Sequence, residues 1–184
     1  EDNSIYVGND PSSTTSTALY NVALGTTALD AITIGDNNVA IGYDALTANT
    51  TGSNNTAVGY QALNDNVDGE QNGAFGYDAL KNNTSGKWNN AFGHEALYLN
   101  VTGTFNSAFG HEALKSNTGS NNTAFGVRAL KPNTSGSNNT ALGYFAKASA
   151  GDATNQTVLG YTAIGQTDNS VTLGNADVTA VYMG

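Results

Sequence analysis

Large apolar residues recur at fixed places along this chain, each just before a glycine. Counted from that anchor glycine, the preceding position holds Leu24, Ile41, Val58, Phe75, Phe92, Phe109, Phe125, Leu142 and Leu159. Val7-Gly8 and Leu173-Gly174 extend the series at each end. Successive anchors are 17 residues apart six times, then 16, 17, 17 and 14. Two positions before the anchor comes Ala, from Ala23 to Ala141, and three and four after it come Ala-Leu, from Ala28-Leu29 to Ala129-Leu130. A second glycine falls seven before the anchor, at Gly35, Gly52, Gly69, Gly86, Gly103, Gly119 and Gly136. Asn, Thr and Ser fill most polar positions.

Each repeat therefore carries two short apolar segments separated by Gly and Asn. A helix needs a longer window free of glycine. Strands of four or five residues fit better, with Gly and Asn at corners that need left-handed backbone. The pattern predicts an all-β solenoid with one repeat of 14 to 17 residues per coil. Equivalent residues then stack about 4.8 Å apart, the spacing of neighbouring strands. Each column becomes a ladder, and stacked Asn side chains can hydrogen-bond along it. About eleven coils make a rod on the order of 50 Å long. Residues 1–184 form one array: 17-residue repeats to about residue 160, a fourteen-residue repeat over 155–174, and a last segment, 175–184.

Two ladders are too apolar to leave bare over that length. One is Ala-Leu. The other is the large residue before the anchor, including Val58, Phe75, Phe92, Phe109, Phe125 and Leu142. One can fill the coil, and the other is then expected at an interface between copies of the chain. The alternative is a monomeric solenoid that buries both.

Composition narrows the function. Of 184 residues, 39% are hydrophobic and regularly spaced, which marks a folded chain although only 11% are charged. A formal charge of −9 disfavours nucleic-acid backbones and anionic membrane surfaces. Without cysteine there are no disulfides or thiolate metal sites. No apolar run is long enough to span a membrane. A chain that opens Glu-Asp-Asn, without Met or a signal peptide, is expected to be a processed product or an excised fragment.

The stretch "DNSVTLGN" (168–175), following "QTVLGYTAIG", resembles the head repeat of trimeric autotransporter adhesins of the YadA type, which has fourteen residues per coil. Residues 155–174 match that repeat, and "DNNVAIGYDAL" (36–46) matches its core. The seventeen-residue form, as in "TGSNNTAVGYQALN", resembles repeats of phage tail fibres and bacterial surface proteins. "LGNADVTAVYMG" resembles the segment before the self-cleaving chaperone domain of some tail fibres. The resemblance implies a left-handed parallel β-roll assembled as a homotrimer. Three extra residues per coil depart from the adhesin repeat and lengthen one loop.

Candidate chemistry is sparse. The chain has no phosphate-binding loop and no dinucleotide-binding glycine motif. His94 and His111 sit one rung apart in the column otherwise held by Tyr43, Tyr60, Tyr77, Tyr144 and Tyr161. They are read as replacements for Tyr rather than as metal ligands. Glu95 and Glu112 occupy the slot of Asp44 and Asp78, so they are products of repetition rather than a singular catalytic pair. Asn54 and Asn138 head glycosylation sequons, read here as corner ladders. No cofactor is expected.

The better signal is departure from the repeat. Trp88 and Phe105 stand where Asn54, Gln71, Asn121 and Asn138 stand in other rungs, and Tyr98 replaces the usual Thr, Asn or Lys of its column. Exposed aromatics on a rigid β surface suit a sugar or protein ligand. They could instead cover one another.

The expected function is therefore a non-enzymatic, extracellular module of a trimeric tail fibre or cell-surface adhesin. It would attach to a host or cell-surface glycan or protein. A purely structural shaft is the nearest alternative. Binding of ice or another ordered surface by Thr56, Thr123, Thr140 and Thr157 ranks lower, because Gly73, Asn90 and Ser107 interrupt that ladder.

Overall fold

The computed structural model describes residues 4–8 and 17–181. Eleven strands follow one another along the chain: β1 (Ile5–Gly8), β2 (Val22–Gly25), β3 (Val39–Ile41), β4 (Thr56–Val58), β5 (Gly73–Phe75), β6 (Asn90–Phe92), β7 (Ser107–Phe109), β8 (Thr123–Phe125), β9 (Thr140–Leu142), β10 (Gln156–Leu159) and β11 (Ser170–Leu173). They form one parallel sheet in sequence order. The register is the one the anchor spacing implies: Ala57 pairs with Ala74, Val58 with Phe75, and Phe92 with Phe109. The fourteen-residue coil keeps it too, with Thr157 opposite Val171. Parallel neighbours joined by a single repeat can only be successive coils of a solenoid. The described residues contain no helix.

The strands are three or four residues long, and the second apolar segment is not a strand. The residues two and four after the anchor adopt left-handed backbone, for example Asp44 (φ 55°) and Leu46 (φ 52°). Such alternation coils the chain instead of extending it. Coil-to-coil bonding still continues there. Leu46 N donates to Ala62 O at 3.1 Å and Leu63 N to Ala79 O at 3.0 Å, while Asn66 N turns back to Leu63 O at 3.2 Å.

The interior is built from small and amide side chains. Ala57, Ala62 and Leu63, with their counterparts in neighbouring rungs, are fully buried. Left-handed backbone costs a non-glycine residue about 1–2 kcal/mol. Burying a Leu side chain contributes roughly 1.5–3 kcal/mol. Burial of the Leu side chain is therefore of the same size as the strain at its own position.

Two buried Asn columns fix the corner. Asn55 Nδ2 donates to Gly69 O of the next coil at 2.8 Å, and its Oδ1 accepts from the backbone N–H of Asn72 at 3.0 Å. Asn66 Nδ2 donates to Asn49 Oδ1 at 2.8 Å and to the same Gly69 carbonyl at 3.0 Å. This is the expected Asn ladder, with each amide also clamping backbone. The crowding explains the second glycine: a Cβ on Gly69 would lie 2.6 Å from Gly86 O and closer still to Asn66 Oδ1. The anchor glycine is required twice over. Gly76 has φ 139°, and a Cβ there would sit 2.6 Å from Gly93 O.

Candidate functional site

Alternation along each three-residue strand sends the middle Ala inward and its two neighbours outward. The ladder of large apolar residues therefore lies outside. Phe125 is 56% exposed and Leu142 51%, and Val58, Phe75 and Phe109 are half-buried. The single chain buries the Ala-Leu ladder and leaves this one uncovered. Phe75, Phe92, Phe109 and Phe125 stack face to face, with ring centroids 4.5, 4.8 and 5.5 Å apart.

The column five before the anchor borders the same face. A shallow groove of about 440 Å³ is lined by Asn54 and Gln71 of that column, by Thr56, Gly73 and Asn90 of the next, and by Phe75. Gly73 interrupts the Thr ladder, and its missing side chain opens the groove. In the rung after Gln71 and the one beyond it, Trp88 and Phe105 stack at 4.7 Å with planes 3° apart, yet remain 42% and 53% exposed. The pair covers one ring face each, and each residue keeps about half of its surface in solvent. Both residues have left-handed backbone, at φ 56° and 59°. Asn54, Asn121 and Asn138 hold the same conformation, which Asn tolerates best among non-glycine residues. Placing Trp and Phe there costs about 1–2 kcal/mol each. Their stacking returns roughly 0.5–1.5 kcal/mol.

Tyr98 does not join that pair. It lies in the column five after the anchor, with Lys81 Nζ at 6.0 Å and Lys115 Nζ at 5.9 Å from its ring centre. Tyr60, Tyr77, His94 and His111 stack one on the next, about a strand spacing apart. The histidines thus continue the tyrosine ladder. Among the described residues no three His, Asp or Glu side chains come together as metal ligands.

Beside that ladder lies an ion network with no obvious mark in the repeat pattern. Lys115 Nζ bridges Glu95 Oε2 at 2.7 Å and Glu112 Oε1 at 3.1 Å, and Glu112 Oε2 also accepts from Arg128 Nε at 2.7 Å and Lys131 Nζ at 2.8 Å. The Lys131 hydrogen bond, reinforced by Arg128 and Lys115, pulls the Glu112 carboxyl down to about 2 against the desolvation of its site. The bond to Glu95 holds the Lys115 ammonium above its ordinary value. Asp78, in the same column, moves the other way because burial outweighs its contact with Lys81. Its Oδ1 has no hydrogen-bond partner, and Lys81 Nζ stands 3.8 Å away. A carboxylate as firmly ionised as Glu112 is poorly suited to proton transfer near neutral pH. The signal that could have revealed the network is the pairing of columns. Acids two after the anchor face lysines five after it, within the rung and across to the next.

Comparison of the chain with protein families, with curated proteins and with solved structures finds no match.

Proposed function

We propose that this chain is a non-enzymatic fibre module, a left-handed β-roll that trimerises through its outward apolar ladder and presents a binding surface outside the cell. It would serve a phage tail fibre or a bacterial surface adhesin, and its ligand would be a host or cell-surface glycan or protein. One observation carries the reading. A stacked ladder of large apolar residues runs along one outer face of the coil, where water is a poor neighbour and a second copy a good one. The resemblance of residues 155–174 to adhesin head repeats points the same way. So does the strained, exposed pair Trp88 and Phe105, because strain retained at a surface is a reason to look for a ligand there.

The test is retention of labelled protein on arrays of immobilised glycans and surface proteins, compared with a Trp88→Ser/Phe105→Ser variant. Retention on a defined set of features, lost in the variant, is the expected result. Retention on no feature would leave a structural shaft. Retention unchanged in the variant would move the site elsewhere on the rod.

A further inference from the structure

The chain has six Lys and Arg residues against fifteen acids, yet five of the six gather along one face. Lys81 and Lys115 flank Tyr98, Arg128 and Lys131 hold Glu112, and Lys147 lies 5.7 Å from the Phe145 ring centre. The acids of the column two after the anchor, Asp44, Asp78, Glu95 and Glu112, all precede Arg128. Positive charge is therefore in excess at its C-terminal end. A groove of about 310 Å³ opens there, lined by Ser116, Arg128, Lys131, Pro132 and Phe145. That volume sits at the small end of the roughly 300–1,000 Å³ typical of ligand pockets.

We propose that this groove binds a pyranose unit carrying one carboxylate. Arg128 donates to Glu112 through Nε, which leaves the outer edge of the guanidinium, with one N–H from each terminal amino group, for another partner. These two N–H groups form the fork that pairs bidentately with a carboxylate. Lys131 and Lys147 add positive potential, and Ser116 adds a hydroxyl. Phe145 supplies an apolar wall for the C–H face of a sugar ring. It is held in left-handed backbone at φ 53°, where other rungs carry polar residues such as Gln61 or Thr162. The overall charge of −9 repels a dense polyanion, which selects an occupant with a single negative group on a neutral body. The proposal rests on the attachment reading only for the class of ligand, since its residues are separate from Trp88 and Phe105.

The experiment titrates the intact chain with cellobiouronic acid, with cellobiose, which lacks the carboxylate, and with acetate, which lacks the ring. Binding is followed by calorimetry and by amide chemical shifts. Cellobiouronic acid is expected to bind about tenfold or more tightly than either comparator, the worth of one charge-assisted contact. Arg128→Gln should lose about tenfold in affinity. Phe145→Asn, which suits the left-handed backbone, should weaken the acidic disaccharide while leaving the melting temperature unchanged. Lys147→Gln keeps the test valid should the Glu112 network not tolerate Arg128→Gln. Equal binding of cellobiose overturns the role of the charge, and equal binding of acetate overturns the role of the ring. Absence of shifts around 116, 128 and 145 with millimolar cellobiouronic acid overturns the site. If arrays retain the wild type while this titration fails, the groove falls and the attachment reading stands.

Discussion

The inner and outer ladders of this solenoid obey different rules, although both are apolar and both repeat with the same spacing. Inside, the middle strand position is Ala in eight successive rungs from Ala23 to Ala141, and Leu recurs at one corner from Leu29 to Leu130. Outside, the same strand carries Leu, Ile, Val or Phe from rung to rung. A close-packed interior responds to a single methylene. Size is therefore held where neighbours are rigid and drifts where the neighbour is solvent or a compliant partner. The inner columns also bear backbone contacts from the next coil, so each rung is a mould for the one above.

Breaking the inner side should have the largest effect. Gly76→Ala forces a Cβ to within 2.6 Å of Gly93 O on a backbone at φ 139°. It should cost more than about 4 kcal/mol, the exceptional end of single substitutions. Denaturant unfolding would register this as loss of the native transition. Leu80→Ala, at a fully buried corner, should cost about 2–5 kcal/mol in the same measurement. Asn72→Ala leaves the Asn89 backbone N–H without its acceptor, while the Gly86 carbonyl loses one of two donors and keeps Asn83 Nδ2 at 3.1 Å. A group left unsatisfied costs about 1–3 kcal/mol.

The outer side should respond differently. Phe92→Ser with Phe109→Ser should leave the circular dichroism of the coil intact and change the assembled mass instead. A large loss of secondary structure would show that these rings hold the coil itself together.

The smallest expected effect is electrostatic and has a definite sign. The folded Glu112 carboxyl sits near 2, below its ordinary 4.5. It contributes stability that is complete above about pH 4.5 and is lost as pH falls towards about 2. Asp78, with a raised carboxyl, works in the opposite sense, and its contribution grows as it becomes protonated. Melting temperatures of wild type and Glu112→Gln should therefore converge as pH is lowered through that window. A constant gap would show that the network contributes packing rather than charge.

Much of the architecture was legible because a solenoid turns sequence spacing directly into register. The 17-residue step predicts the parallel pairing of Val58 with Phe75, and the Asn columns predict the amide ladders. Which apolar ladder faces inward was not read, although the freedom of size at Val58, Phe75 and Leu142 was a usable sign. The left-handed Leu corners were not legible either. Leu is a poor candidate for that conformation on local preference, and only burial in the stacked coil keeps it there. Tyr98 looked like a companion of Trp88 and Phe105 because all three depart from the repeat within neighbouring rungs. Column position, not proximity in sequence, decides which face a side chain occupies, and Tyr98 belongs to the lysine face.

The claim that the outer ladder is an interface between copies is tested most directly by the mass of the wild-type protein in solution, by light scattering after size exclusion. The account predicts a species near three times the 18.8 kDa chain, unchanged on dilution. A monomer at 18.8 kDa would contradict it.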